Sequence, residues 1–447
     1  MQFSSLIGHT HEVLGIIHDS DKPADSLLDS FFRTRKYLGS HDRKFIAETT
    51  YGVLRHRSRC EFLAQSVTAS LPAAAKAKDG LFWVILAYLV SVERRADLDA
   101  SALKLVAETT GDKTQGAGIL EKFREGSTGP AETPAGRIAQ EYSFQPWMVD
   151  RLIQEYGEQE AEAICSSLNN QAPLTLRVNT LKGTVEECQA ALKSEGIETV
   201  RTELSPFGLR VAKRANLFGL SAFRQGLFEV QDEGSQLVPI LIDPKPTDKV
   251  LDACAGAGGK TLQLAAHMRN RGEIIASDIN AFRLRELRKR SNRAGAFNIK
   301  VKSTDELKEQ SDSYRGYFDI VFIDAPCSGM GTIRRNPGMK WSISEDGIKE
   351  LSAKQSSILS SHAEFVAPGG LLVYATCTMV REENEDVVDR FLKEAPHFRL
   401  VDPERHTRKT GISNCTRNGH FVISPTTHGT DGFFCAVLER IPEGESR

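Results

Sequence analysis

No apolar run in this sequence is long enough to cross a membrane. The longest, residues 81–90, is about half of what a spanning helix needs and reads as a buried helix. Charge imbalance is also missing: 57 Lys plus Arg against 59 Asp plus Glu give a formal net charge of −2, so any nucleic-acid surface must be a local patch. No basic stretch followed by an apolar one opens the chain, so no secretory signal is expected and the protein is placed in the cytoplasm. The eight cysteines include no C-x-x-C pair and are too sparse for a disulfide framework, so they read as free thiols. Cys415, His420, His428 and Cys435 are the only candidate metal set, and their irregular spacing argues against zinc. No metal is expected. No internal repeat is found.

What is present is the balance of an ordinary globular protein, 40% hydrophobic and 26% charged over 447 residues, enough for two to four domains at about 150 residues each. Residues 1–140 read as an all-helical domain. Leu27, Leu28, Phe31 and Phe32 mark one helix face, and Phe45, Ile46, Tyr51, Val53 and Leu54 continue the pattern after a cap candidate at Ser40. Arg33, Arg35, Lys36, Arg43, Lys44, Arg55, Arg57 and Arg59 are interleaved with Tyr37 and these aromatics. That composition suits an RNA-contacting face, and equally a solvated face with its aromatics in the core. Residues 108–136, rich in Gly and Pro with one apolar island at Ile119, Leu120 and Phe123, read as a linker.

Residues 141–245 pass from helical pattern into a small α+β subdomain, with strands expected at 174–179, 209–211 and 227–230 and a helix over 185–195. From 246 to 447, short apolar runs at 250–253, 273–277, 299–302, 318–323 and 371–375 alternate with helical segments, and a late strand is expected at 433–438. Such alternation predicts a parallel α/β sheet with its ligand beyond the carboxyl ends of the strands.

The first of these strands runs into Asp252-Ala253-Cys254-Ala255-Gly256-Ala257-Gly258-Gly259-Lys260-Thr261. A Walker A loop fits Gly259-Lys260-Thr261 but requires glycine where Cys254 stands. A dinucleotide fingerprint fits Gly256 and Gly258 but ends on Thr261. A third reading takes the glycines with Asp278, twenty positions beyond Gly258. Glycines let the backbone approach a ligand, and a carboxylate after the second strand accepts from ribose hydroxyls. That arrangement serves a nucleoside without phosphates and suits S-adenosylmethionine. On this reading Gly258→Val abolishes cofactor binding while sparing the fold.

Two further strands end in Asp324-Ala325-Pro326-Cys327-Ser328-Gly329 and in Ala375-Thr376-Cys377-Thr378, which places two cysteines on the same sheet edge. Most free cysteines are small buried hydrophobes, but two at matching strand ends beside a glycine turn suggest chemistry. Carbon 5 of cytosine becomes nucleophilic once a thiolate adds to carbon 6, after which carbon 5 must lose its proton and the thiol must leave. Asp324 is placed to stabilise that adduct.

These motifs, with Gly331-Thr332-Ile333-Arg334-Arg335-Asn336-Pro337, Glu382-Glu383-Asn384-Glu385 and Asp431-Gly432-Phe433-Phe434, resemble the RNA (cytosine-5)-methyltransferases of the Sun/RsmB type. Leu174-Thr175-Leu176-Arg177-Val178-Asn179-Thr180 resembles their ferredoxin-like RNA-binding subdomain. Residues 1–140, through Leu38-Gly39-Ser40-His41-Asp42-Arg43-Lys44-Phe45 and Tyr51-Gly52-Val53-Leu54-Arg55, resemble their NusB-like helical domain.

The resemblance implies a Rossmann-like, S-adenosylmethionine-dependent methyltransferase domain over 246–447. It makes Cys377 the nucleophile and Cys327 the residue that assists release, with Asp324 at the methyl-transfer centre. The cofactor segment falls on Cys254, Ala255, Gly256, Ala257, Gly258, Gly259 and Lys260, with Asp278 at the ribose and Asp305 on the adenine side, the latter equally readable as a helix cap. The family usually has proline where this chain has Ala257 and commonly alanine at Gly256. Arg283, Arg285, Arg288, Lys289, Arg290, Arg293, Lys300 and Lys302, then Arg334, Arg335, Lys340 and Trp341, point to an anionic polymer. The expected substrate is ribosomal RNA of the small subunit, with transfer RNA and a non-catalytic ribosome assembly role as the alternatives, and the chain is expected to be monomeric.

Overall fold

The computed structural model describes residues 1–20, 22–69, 80–126, 131–404, 412, 414–442 and 444. It divides into two compact units, Met1–Asn170 with Ile333–Ser344, and Gln171–Thr332 with Glu345–Arg447. The helical unit therefore runs past residue 140, and it takes in a segment that follows the Cys327 motif in sequence.

Among its described residues the first unit is helical. The apolar run forms an α-helix Gly80–Ala87 that continues as a π turn Tyr88–Val92, and Phe82, Trp83, Ile85 and Leu86 lie in its core with Leu63, Ala64 and Val67. The helix Ser40–Arg55 is capped one residue before the expected Ser40. Gly39 occupies the cap, and the Asp42 carboxylate accepts its N–H at 3.2 Å. The expected linker is largely a helix, Lys113–Glu125. Asp112 caps it, accepting from the backbone N–H of Thr114 at 2.7 Å, and Ile119, Leu120 and Phe123 share its buried face. Gly116 lets it approach a neighbouring helix, since a Cβ there would lie 3.2 Å from the Ala107 nitrogen. Residues 127–130 of that stretch lie outside the described residues.

The segment Ile333–Ser344 is embedded in the helical core. Lys340 is fully buried, and its Nζ donates to the carbonyls of Arg55, Tyr142 and Ser143 at 2.9–3.0 Å and to Asn169 Oδ1 at 2.5 Å. Burial holds its pKa well below the usual lysine value. Trp341 donates to the Leu54 carbonyl at 2.7 Å, and the Arg334 carbonyl accepts from Arg55. Lys340 is thus an internal group and not the RNA contact expected of it, while Trp341 stays half-buried beside it. In the same unit Arg35 pairs with Glu12 and stacks on Phe31, Arg33 pairs with Asp29, Arg57 with Glu61 and Arg59 with Glu141.

The second unit holds two sheets. Strands β1 (Thr175–Val178), β2 (Thr199–Arg201), β3 (Gly208–Val211) and β4 (Phe228–Val230) form an antiparallel sheet of order β2-β3-β1-β4. It packs on the helix Val185–Ser194 through Leu176, Val178, Val185, Leu192, Leu209 and Phe228. The larger sheet contains β5 (Lys249–Asp252), β6 (Glu273–Asp278), β7 (Ile299–Ser303), β8 (Phe318–Asp324), β9 (Val366–Thr376), β10 (Phe398–Leu400), β11 (Thr416–Arg417), β12 (His420–Ile423) and β13 (Phe433–Arg440). Its order is β11-β12-β13-β9-β8-β5-β6-β7, with β10 beside β13.

Strands β5 to β9 pair in parallel, and β13 joins β9 antiparallel. Neighbouring residues of one strand enter opposite cores: Val250, Ile274, Ile320, Phe322 and Val373 on one face, Leu251, Ile275, Val321, Ile323, Leu372 and Tyr374 on the other. Both faces are covered, which is why these strands read as unbroken apolar runs rather than alternating ones.

Candidate active site

Strand β5 delivers Asp252 into a turn in which Gly256 and Gly258 adopt φ of +54° and +85°, and the helix Gly259–His267 follows. Asp252 accepts from Thr261 Oγ1 at 2.7 Å, and burial raises its carboxyl pKa to about 7 against the opposing pull of that hydrogen bond. Asp278, at the end of β6, accepts from the Gly256 N–H at 2.9 Å and from the Asn280 N–H at 2.7 Å. A carboxylate accepts about four bonds, so each oxygen keeps capacity for a ribose hydroxyl. A Cβ added at Gly256 would meet nothing within 4 Å, leaving the space over the turn open to a ligand.

Gly258 behaves differently from the expectation. A Cβ there would lie 2.7 Å from Leu287 Cγ, in the helix Ala281–Ala294 beneath the turn. Gly258→Val is therefore a packing and backbone-strain substitution, not a plug in the ligand space.

The turn is braced from outside. The Ala257 carbonyl accepts from Arg290 Nη1 at 2.8 Å, and the Gly259 carbonyl from Arg177 Nη1 at 2.5 Å. Arg177 sits on β1 of the small sheet and is 3% exposed, and burial pulls its pKa down to about 9. Glu229 on β4 accepts from Arg290 at 2.9 Å and from Arg293 at 2.5 Å. Of the expected basic run, Arg290 and Arg293 are used in this way. Arg288 donates to the Val301 carbonyl, Lys289 pairs with Glu286, Lys300 with Glu273, and Lys302 meets the Tyr314 hydroxyl. Arg283, Arg285, Arg288, Lys289 and Lys300 all remain exposed, so the surface of this run keeps the charge expected to meet an anionic polymer.

Asp324 ends β8, and its Oδ2 accepts from Lys260 Nζ at 2.6 Å. Burial alone would lower the Lys260 pKa, but the Asp324 carboxylate and its hydrogen bond raise it above the usual value, with a further contribution from the charge of Cys377. Lys260, expected only as a cofactor-loop residue, thus faces the reacting groups. Just past β8 and β9, Cys327 Sγ and Cys377 Sγ lie 3.4 Å apart, and the Cys377 N–H donates to Cys327 Sγ, also at 3.4 Å. The hydrogen bond with Cys377, burial and nearby negative charge all push the Cys327 thiol pKa up. Cys254 lies half-buried in the turn, its thiol pKa raised by burial.

Gly331 N–H donates to the Cys377 carbonyl at 3.0 Å and Gly432 N–H to the Gly331 carbonyl at 2.9 Å. A Cβ at Gly331 would lie 2.3 Å from the Gly432 carbonyl oxygen, so glycine is required there for the two loops to meet. Asp305 is exposed in the first turn of the helix Thr304–Glu309, after β7. Its reading as a cap fails, because Ser303 and Glu306 form the capping box.

Among the described residues no group of His, Cys, Asp and Glu is placed to hold a metal ion. Cys415 donates to the Ile412 carbonyl, His428 bonds to the Ser424 N–H and the Asn414 carbonyl, His420 packs on Phe434 and Cys435 is buried. Sequence reasoning missed Arg177 and Arg290 as supports of the turn, and it quoted Glu383 and Asn384 without a role. Arg177 alone carried a signal, a single charge between Leu176 and Val178, whereas Arg290, Glu383 and Asn384 stand in charged stretches that hide them.

A turn open above Gly256, with the Asp278 oxygens at its rim, fits the nucleoside of S-adenosylmethionine, and its sheet carries a thiol pair on the same edge. The class is an S-adenosylmethionine-dependent methyltransferase. Residues 239–439 match the family model for 16S rRNA methyltransferase RsmB/F, and 144–217 match the ferredoxin-like domain of Methyltr_RsmF/B-like proteins. The chain is 31% identical over 96% of its length to a Bacillus subtilis protein named "Probable ribosomal RNA small subunit methyltransferase B", covering 97% of that protein. It is 30% identical to the "Ribosomal RNA small subunit methyltransferase B" of Vibrio cholerae, with 93% of each chain covered. The crystal structure of PH0851 superposes with a TM-score of 0.75 at 28% identity, over 97% of this chain and 98% of that one. The chain belongs to the RsmB/F methyltransferase family.

Proposed function

We propose that the protein methylates carbon 5 of a cytosine in small-subunit ribosomal RNA through a covalent adduct on Cys377. The observation that carries this reading is the pair of thiols 3.4 Å apart at two adjacent parallel strand ends, beside the Lys260–Asp324 pair. The names of the relatives, which specify ribosomal RNA of the small subunit, support the substrate class.

The residues divide the work. Lys260 supplies the counter-charge for a Cys377 thiolate, which bonds to carbon 6 of the cytosine. Asp324, held by Lys260, accepts from the exocyclic amine and stabilises the ring as its electrons shift. The electron pair freed at carbon 5 takes the electrophilic methyl group that S-adenosylmethionine supplies when bound. Cys327, as its thiolate or through a base it positions, then takes the carbon 5 proton, the ring double bond re-forms and the carbon 6–sulfur bond breaks, returning Cys377 as the thiolate. The base must leave its stack for both faces to be reached.

In this reading Asp278 takes the ribose hydroxyls, the turn over 254–260 takes the rest of the cofactor, and Asp305 lies at the adenine edge. Residues 1–140 are a NusB-like RNA-binding domain, residues 141–245 a second RNA-binding part, and the protein acts in the cytoplasm as a monomer. No helix among the described residues is long and apolar enough to cross a membrane. Mapping of 5-methylcytosine in ribosomal and transfer RNA with and without the gene tests the reading. The expected result is loss of one mark in small-subunit ribosomal RNA. Loss of a transfer-RNA mark alone overturns the substrate, and no methyl transfer from labelled cofactor to any RNA overturns the enzyme.

A further inference from the structure

Behind the thiol pair lies a buried polar cluster that none of the steps above uses. Glu383, which ends the 3-10 turn Arg381–Glu383, is fully buried, and no ion pair forms with it among the described residues. Its Oε1 accepts from the Ser328 N–H and from Gln355 Nε2, each at 2.9 Å, and its Oε2 accepts from Ser328 Oγ at 2.5 Å. Gln355 Nε2 also donates to the Pro326 carbonyl at 2.9 Å. Both neighbours of Cys327 are thereby tied to one carboxyl group. The next residue treats Cys377 in the same way: Asn384 Oδ1 accepts from Thr376 Oγ1 at 2.5 Å, and Asn384 Nδ2 donates to the Thr378 carbonyl at 3.2 Å. Ser328 Oγ and Thr378 Oγ1, 2.9 Å apart, close the network between the two loops.

We propose that Glu383 and Asn384 are the positioning residues of the two cysteines, Glu383 fixing the loop of Cys327 and Asn384 the strand end of Cys377. The proposal rests on the reading of Cys377 as nucleophile and Cys327 as the group that assists release. A buried acceptor holding three donors keeps a loop in one conformation, because each donor left unpaired would cost about 1–3 kcal/mol, and a misplacement of about 1 Å at a reacting group costs roughly a hundredfold in rate. Glu383 also acts through charge, being one of the negative groups that push the Cys327 thiol pKa up, after its hydrogen bond with Cys377, burial and the charge of Cys377 itself. The two adjacent side chains should therefore fail in different steps. Loss of the Asn384 contacts should slow adduct formation, and loss of the Glu383 contacts should slow adduct release.

The test uses the full chain with a cytosine-containing RNA and with the same RNA carrying 5-fluorocytosine, whose carbon 5 substituent cannot leave as a proton does, so that the adduct is trapped. Asn384→Ala should trap on the fluorinated RNA about tenfold or more slowly than the parent. Glu383→Ala should trap within about threefold of the parent rate, yet release normal methylated RNA about tenfold more slowly, so that a covalent band accumulates. Glu383→Gln keeps an oxygen for the two N–H donors and can donate to Ser328 Oγ. It should release without accumulation, and because the negative charge is gone, the rise of turnover with pH should move to lower pH.

A merely structural role would reduce the amount of active protein in all three variants without separating trapping from release or moving the pH profile. Equal trapping and release in Asn384→Ala and Glu383→Ala overturn the proposal. If either Ala variant fails to fold, an unmoved pH profile in Glu383→Gln overturns it. Cys377→Ala and Cys327→Ala run alongside. If Cys377→Ala still methylates, the underlying reading falls, whereas if the cysteine variants behave as assigned and Glu383 and Asn384 do not, only the positioning inference falls.

Discussion

The cofactor turn and the cysteine pair share one edge of the parallel sheet, yet they are held by different means. The turn is fixed through its backbone. Asp278 takes the Gly256 N–H, and the carbonyls of Ala257 and Gly259 take Arg290 and Arg177, with Arg177 reaching in from β1 of the small antiparallel sheet. The cysteine loops are held at the residues flanking each thiol: Glu383 accepts from the Ser328 N–H and hydroxyl, and Asn384 accepts from the Thr376 hydroxyl and donates to the Thr378 carbonyl. Anchoring the turn through its backbone leaves the space above Gly256 open for a ligand, whereas anchoring the flanking residues of the cysteines fixes the two thiols against each other without bonding Glu383 or Asn384 to either sulfur. Substitutions in the two regions should therefore separate, the first group acting on cofactor affinity and the second on the chemical steps.

The largest effect is expected on the cysteine side. Cys377→Ala should reduce methyl transfer at saturating cofactor by at least about 10³-fold, since the nucleophile is gone, while calorimetric titration finds S-adenosylmethionine affinity unchanged. Lys260→Met comes next. It removes the ammonium from Asp324 and Cys377, and single-turnover methylation should fall roughly a hundredfold. Lys260 also belongs to the turn, so a fall confined to affinity would move it back to the cofactor half.

On the other side, Arg177→Met deprives the Gly259 carbonyl of a charged donor, a loss of about 1.5–3 kcal/mol. Cofactor affinity should drop roughly tenfold or more, with partial recovery in Arg177→Lys and little change in the single-turnover rate at saturation. Equal loss in both quantities would erase the distinction between the two halves.

A further effect, on stability and not on activity, concerns pH. The Asp252 carboxyl, with a pKa near 7 in the fold, stays neutral where the unfolded chain already ionises. Its stabilising contribution is present below about pH 4 and is lost as pH rises through 7. Without cofactor, the melting temperature of the parent should fall between about pH 4 and 7 relative to that of Asp252→Asn and level off above. Parallel pH curves would remove Asp252 as a titrating group.

The α/β sheet was readable because strands covered on both faces give runs such as Phe318–Asp324, and the motifs at their ends marked the edge where ligands bind. Two of the edge strands were not: β11 is Thr416–Arg417 and β2 is Thr199–Arg201, too short and polar to carry a pattern. The glycines and threonines of 108–136 suggested a linker, but Gly116 serves helix packing and Asp112 starts a helix. Charge misled most. Lys340 and Arg293 look like nucleic-acid contacts in sequence, and only their partners, the carbonyls of Arg55, Tyr142 and Ser143 and the carboxylate of Glu229, identify them as internal. Arg177 stayed hidden because its acceptor, the Gly259 carbonyl, is a backbone atom far away in the chain.

The most direct measurement is denaturing electrophoresis of the protein after incubation with cytosine-containing RNA and S-adenosylmethionine. Cys327→Ala should add to the base and methylate it once but release it poorly, giving a retarded protein–RNA band that is absent in Cys377→Ala and in the double variant. A band in Cys377→Ala and none in Cys327→Ala would reverse the two roles, and unimpaired methylation in both variants would contradict the covalent mechanism altogether.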